Sequence, residues 1–221
     1  MPGRLPVRVV TITGEFTHLD QAEIRQRVET AIDGGFLDID MEKVRKAVLD
    51  LPWAAEASVR RVWPDTLRLH VVEQLPLAYW NQSALVNLHG QVFRPTRLPR
   101  FENLPRLRGE DARAADVVAF YLQLQTGPLP EGLRVAELDL NRRGEWRVVF
   151  DNGLALMLGR DDQGLAQRLK HFVRLYPLLA SPEGGRPRRI DMRYEHGFAV
   201  EWQKVDERAQ AAVAIVRKGD S

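Results

Sequence analysis

The sequence predicts an α+β protein: an N-terminal β-α-α-β-β unit followed by a mostly antiparallel β domain with packed helices. Three observations carry this expectation. Two short segments near the N-terminus repeat apolar residues at helical spacing and lead into two strands. Beyond residue 133, β-prone runs recur between turn signals. Among those runs, residues 165–179 carry an apolar stripe of helical period.

In chain order, valines and an isoleucine over residues 7–13 favour a strand, and Gly14 marks its turn. Asp20 and Glu23 have capping-box spacing, and Ile24, Val28 and Ile32 recur every four residues, so a first helix follows until Gly34-Gly35. Asp40 caps a second helix whose buried face is Met41, Val44, Val48 and Leu51, closed by Pro52. Strands over 55–62 and 66–73 come next, joined by Trp63-Pro64-Asp65; in the second, Leu67, Leu69 and Val71 alternate with Arg68, His70 and Val72.

Past Pro76 the pattern changes to short strands at 85–87 and 91–93. The stretch PTRLPRFENLPRLRG then lacks either period and reads as a surface connection. A helix is expected over 112–125, ended by Gly127-Pro128. Strands follow at 134–140, 146–150 and 154–158, the last two joined by Asp151-Asn152-Gly153, whose Asn and Gly tolerate positive φ. Asp161-Asp162 opens the helix carrying Leu165, Leu169, Phe172, Tyr176 and Leu179. A last hairpin pairs 190–194 with 198–203 across Glu195-His196-Gly197, and 206–217 suits a polar terminal helix. Domains are therefore expected at 1–74 and 75–206, with 207–221 a polar helix or tail.

Composition narrows the function classes. Of 221 residues, 44% are hydrophobic and 28% charged, an ordinary globular balance. Lysine and arginine number 32 against 30 acidic residues, a net charge of +2 that is too small to imply nucleic acid. Without cysteine there are no disulfides and no thiolate metal sites. No run approaches the roughly 20 apolar residues of a membrane span, and MPGRLPVRVV lacks a secretory signal's apolar core, so these residues are expected to be soluble.

Catalytic patterns are weak. Ser58, Ser83, Ser181 and Ser221 sit in no nucleophile elbow, and His18, His70, His89, His171 and His196 show no i, i+4 pair for zinc. No Walker loop or G-x-G-x-x-G is present. Asp38 with Asp40 and Asp161 with Asp162 are the nearest carboxylate pairs for glycan chemistry, but both stand at helix starts, where capping explains them. The basic residues between Arg94 and Arg108 are interrupted by Glu102 and followed by Glu110 and Asp111, with no aromatic ladder, as in a solvated loop.

The order β-α-α-β-β, with GGF at 34–36, LPW at 51–53, ASVRRVWPDTL at 57–67 and VEQLPLAYW at 72–80, resembles the POTRA region of the FtsQ/DivIB family of division proteins. ALVNLHGQVF at 84–93, LGRDD at 158–162, RLKHFVRLYPLL at 168–179 and IDMRYEHGFAVEW at 190–202 are similar to that family's following β domain. The resemblance implies a scaffold without catalysis or cofactor that recruits FtsB and FtsL and connects early and late division proteins, extending to FtsK, FtsW and FtsI. It also implies a short cytoplasmic tail and one inner-membrane helix before the POTRA domain, neither within these 221 residues, with this region in the periplasm at the septum.

The family's partner surface maps by motif onto Arg193, Tyr194, Gly197 and Trp202, and through the looser RRGEW match onto Arg142. His196 stands where the family often has a smaller residue. A strand over 198–203 at a sheet edge would accept a partner strand through its open amides and carbonyls. Tyr194 and Trp202 would anchor that strand, and Arg142 and Arg193 would pair with its acidic residues. The competing reading places Trp202 in the core, since it alternates with Val200 and Phe198.

Overall fold

The computed structural model describes residues 6–127, 129–160, 164–179, 185–194 and 197–203. Two compact units emerge. The first runs to Leu77 and includes Ser83–Leu88 and Val92–Arg100; the second comprises Ala78–Gln82, His89–Gln91 and the chain from Phe101.

The first unit is built from β1 (Val9–Thr13), α1 (Gln21–Ala31), α2 (Met41–Leu49), β2 (Ala54–Val62) and β3 (Thr66–Glu73). The sheet order is β1-β3-β2, with β1 parallel and β2 antiparallel to β3. Alternation along β3 buries Leu67, Leu69 and Val71, which form a core with Ile24, Val28, Phe36, Val44 and Val48. Asp20 accepts from the Ala22 amide, and Asp40 accepts from those of Glu42 and Lys43, so both helices begin where side chains satisfy first-turn donors. Each helix ends slightly before the expected stop: Ile32 is the C-cap of α1, and Leu51 is buried beyond the end of α2.

The chain continues through β4 (Pro76–Trp80), β5 (Ala84–Asn87) and β6 (Val92–Phe93). β5 and β6 pair antiparallel and belong to the first unit. There the Phe93 ring meets Trp53 edge-on at 5.1 Å, and buried Asn87 donates to Gln74 at 2.9 Å.

The second unit adds β7 (Arg106–Arg108), a 3-10 turn (Asp111–Arg113), α3 (Ala114–Thr126), β8 (Val135–Leu140), β9 (Glu145–Phe150), β10 (Ala155–Arg160), α4 (Leu165–Leu175), β11 (Pro187–Asp191) and β12 (Ala199–Trp202). Within this unit the strands run β12-β11-β10-β9-β8-β7-β4. Leu138, Val148, Leu156 and Ile190 sit side by side in register, all fully buried. Helices cover that face: Phe120 of α3 lies 4.6 Å from Trp146, and Phe172 of α4 stacks on Phe150 at 5.6 Å.

Several expectations need correction. Part of the stretch read as a surface connection is β7, which lies between β4 and β8, parallel to both, with Leu107 fully buried. A three-residue strand is too short to show a period. β4 was not expected as a strand, although buried Ala78 and Trp80 alternate along it and Trp80 Nε1 donates to Asp111 at 2.7 Å. Parallel pairing also joins β10 to β11, so hairpins and crossovers mix. β11 lies earlier than expected, leaving Arg193 and Tyr194 beyond its end. Asp161, Asp162, His196 and the expected terminal helix lie outside the described residues.

Candidate partner-binding edge

β12 ends the strand order, so one side of it has no strand partner among the described residues. Trp202 pairs with Pro187, Val200 with Ile190 and Ala199 with Asp191, while a bulge in β11 lets Glu201 face Arg189. The Gln203 amide donates inward to the Arg186 carbonyl at 2.9 Å. Because backbone direction alternates along a strand, the N–H and C=O groups of Trp202 and Val200 point to the open side. Val200 extends the buried row that ends in Ile190, and Glu201 on the opposite face lies 3.7 Å from Arg188.

The edge is bracketed by exposed rings: Tyr194 is 60% exposed, Phe198 45% and Trp202 40%. The core alternative for Trp202 is thereby corrected. It sits at the rim, where β11 has narrowed to Pro187 and no further strand among the described residues covers it. Among the described residues, nothing lies within 4 Å of where a Cβ on Gly197 would stand.

Arg193 is held rather than free. Its Nε and Nη2 donate to the two Asp191 carboxylate oxygens at 2.8 and 2.6 Å, and its amide also donates to Asp191. The Arg193 hydrogen bond outweighs burial and keeps the Asp191 carboxyl below the usual range; Arg189, 3.7 Å away, adds to this. Gly159, at φ +78° beside a β10 bulge, makes room for the arginine stem: a Cβ there would stand 3.0 Å from Arg193 Cγ.

Arg142 lies in the β8–β9 turn, organised by Asn141, whose Oδ1 accepts from the amides of Arg143 and Glu145. Its side chain is 91% exposed, with Nε 3.7 Å from a Glu110 oxygen. Register pairs Glu145 with Arg160, next to Gly159, so the turn lies at the same end of the sheet as Arg193. Arg193 and Tyr194 thus lie at one end of β12 and Trp202 at the other, about 10 Å along the strand. Arg142 lies at the same end of the sheet as Arg193 but in the β8–β9 turn, with β10 and β11 between that hairpin and β12. The sequence reading missed Asp191 as the residue that aims Arg193; its i, i+2 spacing, which puts both on one strand face, was the available signal.

A POTRA-type sheet with two helices on one face, and a larger sheet whose last strand has no strand partner on its outer side among the described residues, define a POTRA-plus-β-domain protein. The family described as "POTRA domain, FtsQ-type" matches residues 5–74, and "Cell division protein FtsQ/DivIB, C-terminal" matches residues 78–193. Among relatives, the chain is 38% identical to the cell division protein FtsQ of Shewanella oneidensis over 199 residues, 90% of this chain and 74% of the relative. It is 36% identical to that of Allochromatium vinosum over 91% of this chain and 79% of the relative, and 33% identical to that of Coxiella burnetii over 91% and 82%. The chain belongs to the FtsQ/DivIB family of cell division proteins.

Proposed function

We propose that this chain is a non-catalytic scaffold of the bacterial divisome that binds FtsB and FtsL by strand addition at β12. The supporting observation is the open edge itself, whose outward backbone groups lie between exposed aromatics at both ends. A partner strand laid along β12 gains main-chain hydrogen bonds, and its alternate side chains meet Trp202 at one end and Tyr194 with Arg193 at the other. Arg142 and Arg193 select acidic residues in the segments flanking that strand. The same reading places the region in the periplasm, carried by a single inner-membrane helix and concentrated at the septum, and extends the contacts to FtsK, FtsW and FtsI. Of the carboxylates that would serve a glycan hydrolase, Asp40 is engaged with the first turn of α2 and Asp38 stands two residues before that cap, while Asp161 and Asp162 lie outside the described residues.

Calorimetric titration with the periplasmic segment of the cognate FtsB tests the proposal. Trp202→Ala is expected to weaken binding at least about tenfold, or roughly 1.4 kcal/mol, while leaving the unfolding temperature unchanged. Undiminished binding in the folded variant would move the interface elsewhere, and absence of binding by the unmodified chain would remove the scaffold reading.

A further inference from the structure

A second surface, at the tip of the first unit, takes no part in the edge described above. β2 and β3 meet at Trp63-Pro64-Asp65, where Trp63 is 67% exposed, and Leu37 in the loop before α2 is 61% exposed. The two are neighbours. The Trp63 ring stands edge-on to Phe36 at 5.7 Å, and Arg61 donates to the carbonyls of Phe36, Leu37 and Ile39. Phe36 and Ile39 are buried, so the loop is clamped from both sides and Leu37 is held outward. The tip therefore presents two large apolar side chains on adjacent, braced loops.

Behind the tip lies positive charge. Arg60 and Arg68 are direct neighbours across the β2–β3 ladder and both are exposed. Like charges placed opposite one another repel unless an anion lies between them. Exposed Arg8 approaches the same end, its amide donating to the Asp65 carbonyl at 3.0 Å. The nearby acids are Asp65, whose carboxylate is 4.0 Å from Arg8 Nε, and Asp38 in the Leu37 loop, leaving the arginines in excess. Arg60 stands three residues before Trp63 and Arg68 three after Asp65, about 10 Å at strand rise.

We propose that this tip seats on an anionic lipid bilayer, with Trp63 and Leu37 in the interfacial layer and Arg8, Arg60 and Arg68 at the level of the lipid phosphates. The inference rests on reading the chain as a protein held at a membrane. Three features favour lipid over a protein groove. The surface is a convex turn rather than a flat patch. Its foremost residue is tryptophan, whose amphipathic ring favours the headgroup layer. The spacing from ring to arginines matches the roughly 5–10 Å to which interfacial elements bury their apolar face.

The test holds the full chain, through an N-terminal histidine tag, on vesicles of nickel-chelating lipid with brominated acyl chains, made either with phosphatidylglycerol or with phosphatidylcholine alone. Trp53, Trp80 and Trp146 are buried, so a Trp202→Phe background leaves Trp63 as the exposed indole that bromine can quench. Quenching is expected in anionic vesicles and is expected to fall to the neutral-lipid level in Arg60→Gln/Arg68→Gln. Untagged chain with native Trp202 is expected to sediment with phosphatidylglycerol vesicles, and Leu37→Ser/Trp63→Ser to weaken this at least about tenfold. Both replaced side chains are solvent-exposed, and a thermal melt checks that the fold survives. Absence of quenching in the tethered chain, or quenching indifferent to lipid charge, overturns the proposal. Titration of the unmodified chain with the FtsB segment separates the two readings: FtsB binding without lipid contact by that chain defeats this inference alone, and lipid contact without FtsB binding defeats the edge reading alone.

Discussion

Glu73 shows how much one side chain can organise. Its carboxylate accepts from the amides of Thr17, His18 and Leu19 and lies 2.8 Å from His18 Nδ1, while the His18 ring stacks on Trp53 at 4.0 Å. Burial pulls this carboxyl upward, but the hydrogen bonds from His18, Leu19 and Thr17 together hold it below its ordinary value. A depressed folded value adds stability above the unfolded pKa, about 4.3, and that stability is lost as pH falls through the folded value. Glu73→Gln is therefore expected to cost about 1–3 kcal/mol near neutral pH and progressively less in acid, as read by urea unfolding across pH. Gly159→Val is expected to cost about 1–2 kcal/mol, because L residues avoid that φ, and to weaken FtsB binding by displacing Arg193. Residue identities at the edge were legible in the sequence through the RYEHGFAVEW motif. The exposure of Trp202 was not, since an alternating strand reads the same whether or not a further strand covers its rim.

At the scale of the element, β12 permits a direct contrast. The Val200 amide faces the open side, where proline is tolerated, whereas the Glu201 amide faces β11. Val200→Pro is expected to abolish binding of the FtsB segment while leaving the unfolding temperature within a few degrees, and Glu201→Pro to loosen β12 itself, with faster amide exchange along β11. If both proline variants bind normally, main-chain pairing is not the mode of contact. The helices and the longer strands followed from apolar period and caps, as Asp20 and Asp40 show. β4 and β7 escaped that logic for different reasons. β7 has three residues, and β4 lies in a segment whose prolines argue against a strand, although its first residue is a position where proline costs no inward bond.

At the scale of the whole molecule, the chain enters and leaves the first unit more than once, since Ser83–Leu88 and Val92–Arg100 return to it. A fragment ending at Leu77 lacks Phe93 against Trp53 and Asn87 against Gln74, whereas one ending at Arg100 keeps both. The longer fragment is expected to unfold at higher urea by about 1–3 kcal/mol, measured by circular dichroism. Equal stability would show that the boundary expected after residue 74 is a sufficient cut. Fold class was readable because local period and β content fix the layer types, while strand order was not, because parallel neighbours far apart in sequence leave no local mark. The position of β7 carries a further consequence, in time. β8, β9 and β10 are successive antiparallel neighbours that can zip locally, but β4 reaches them only through a three-residue strand parallel to both β4 and β8. Distant parallel pairs close late in folding, so a newly made chain holds finished hairpins before its sheet is joined, and substitutions at Val148 slow refolding more than those at Leu107, which mainly speed unfolding.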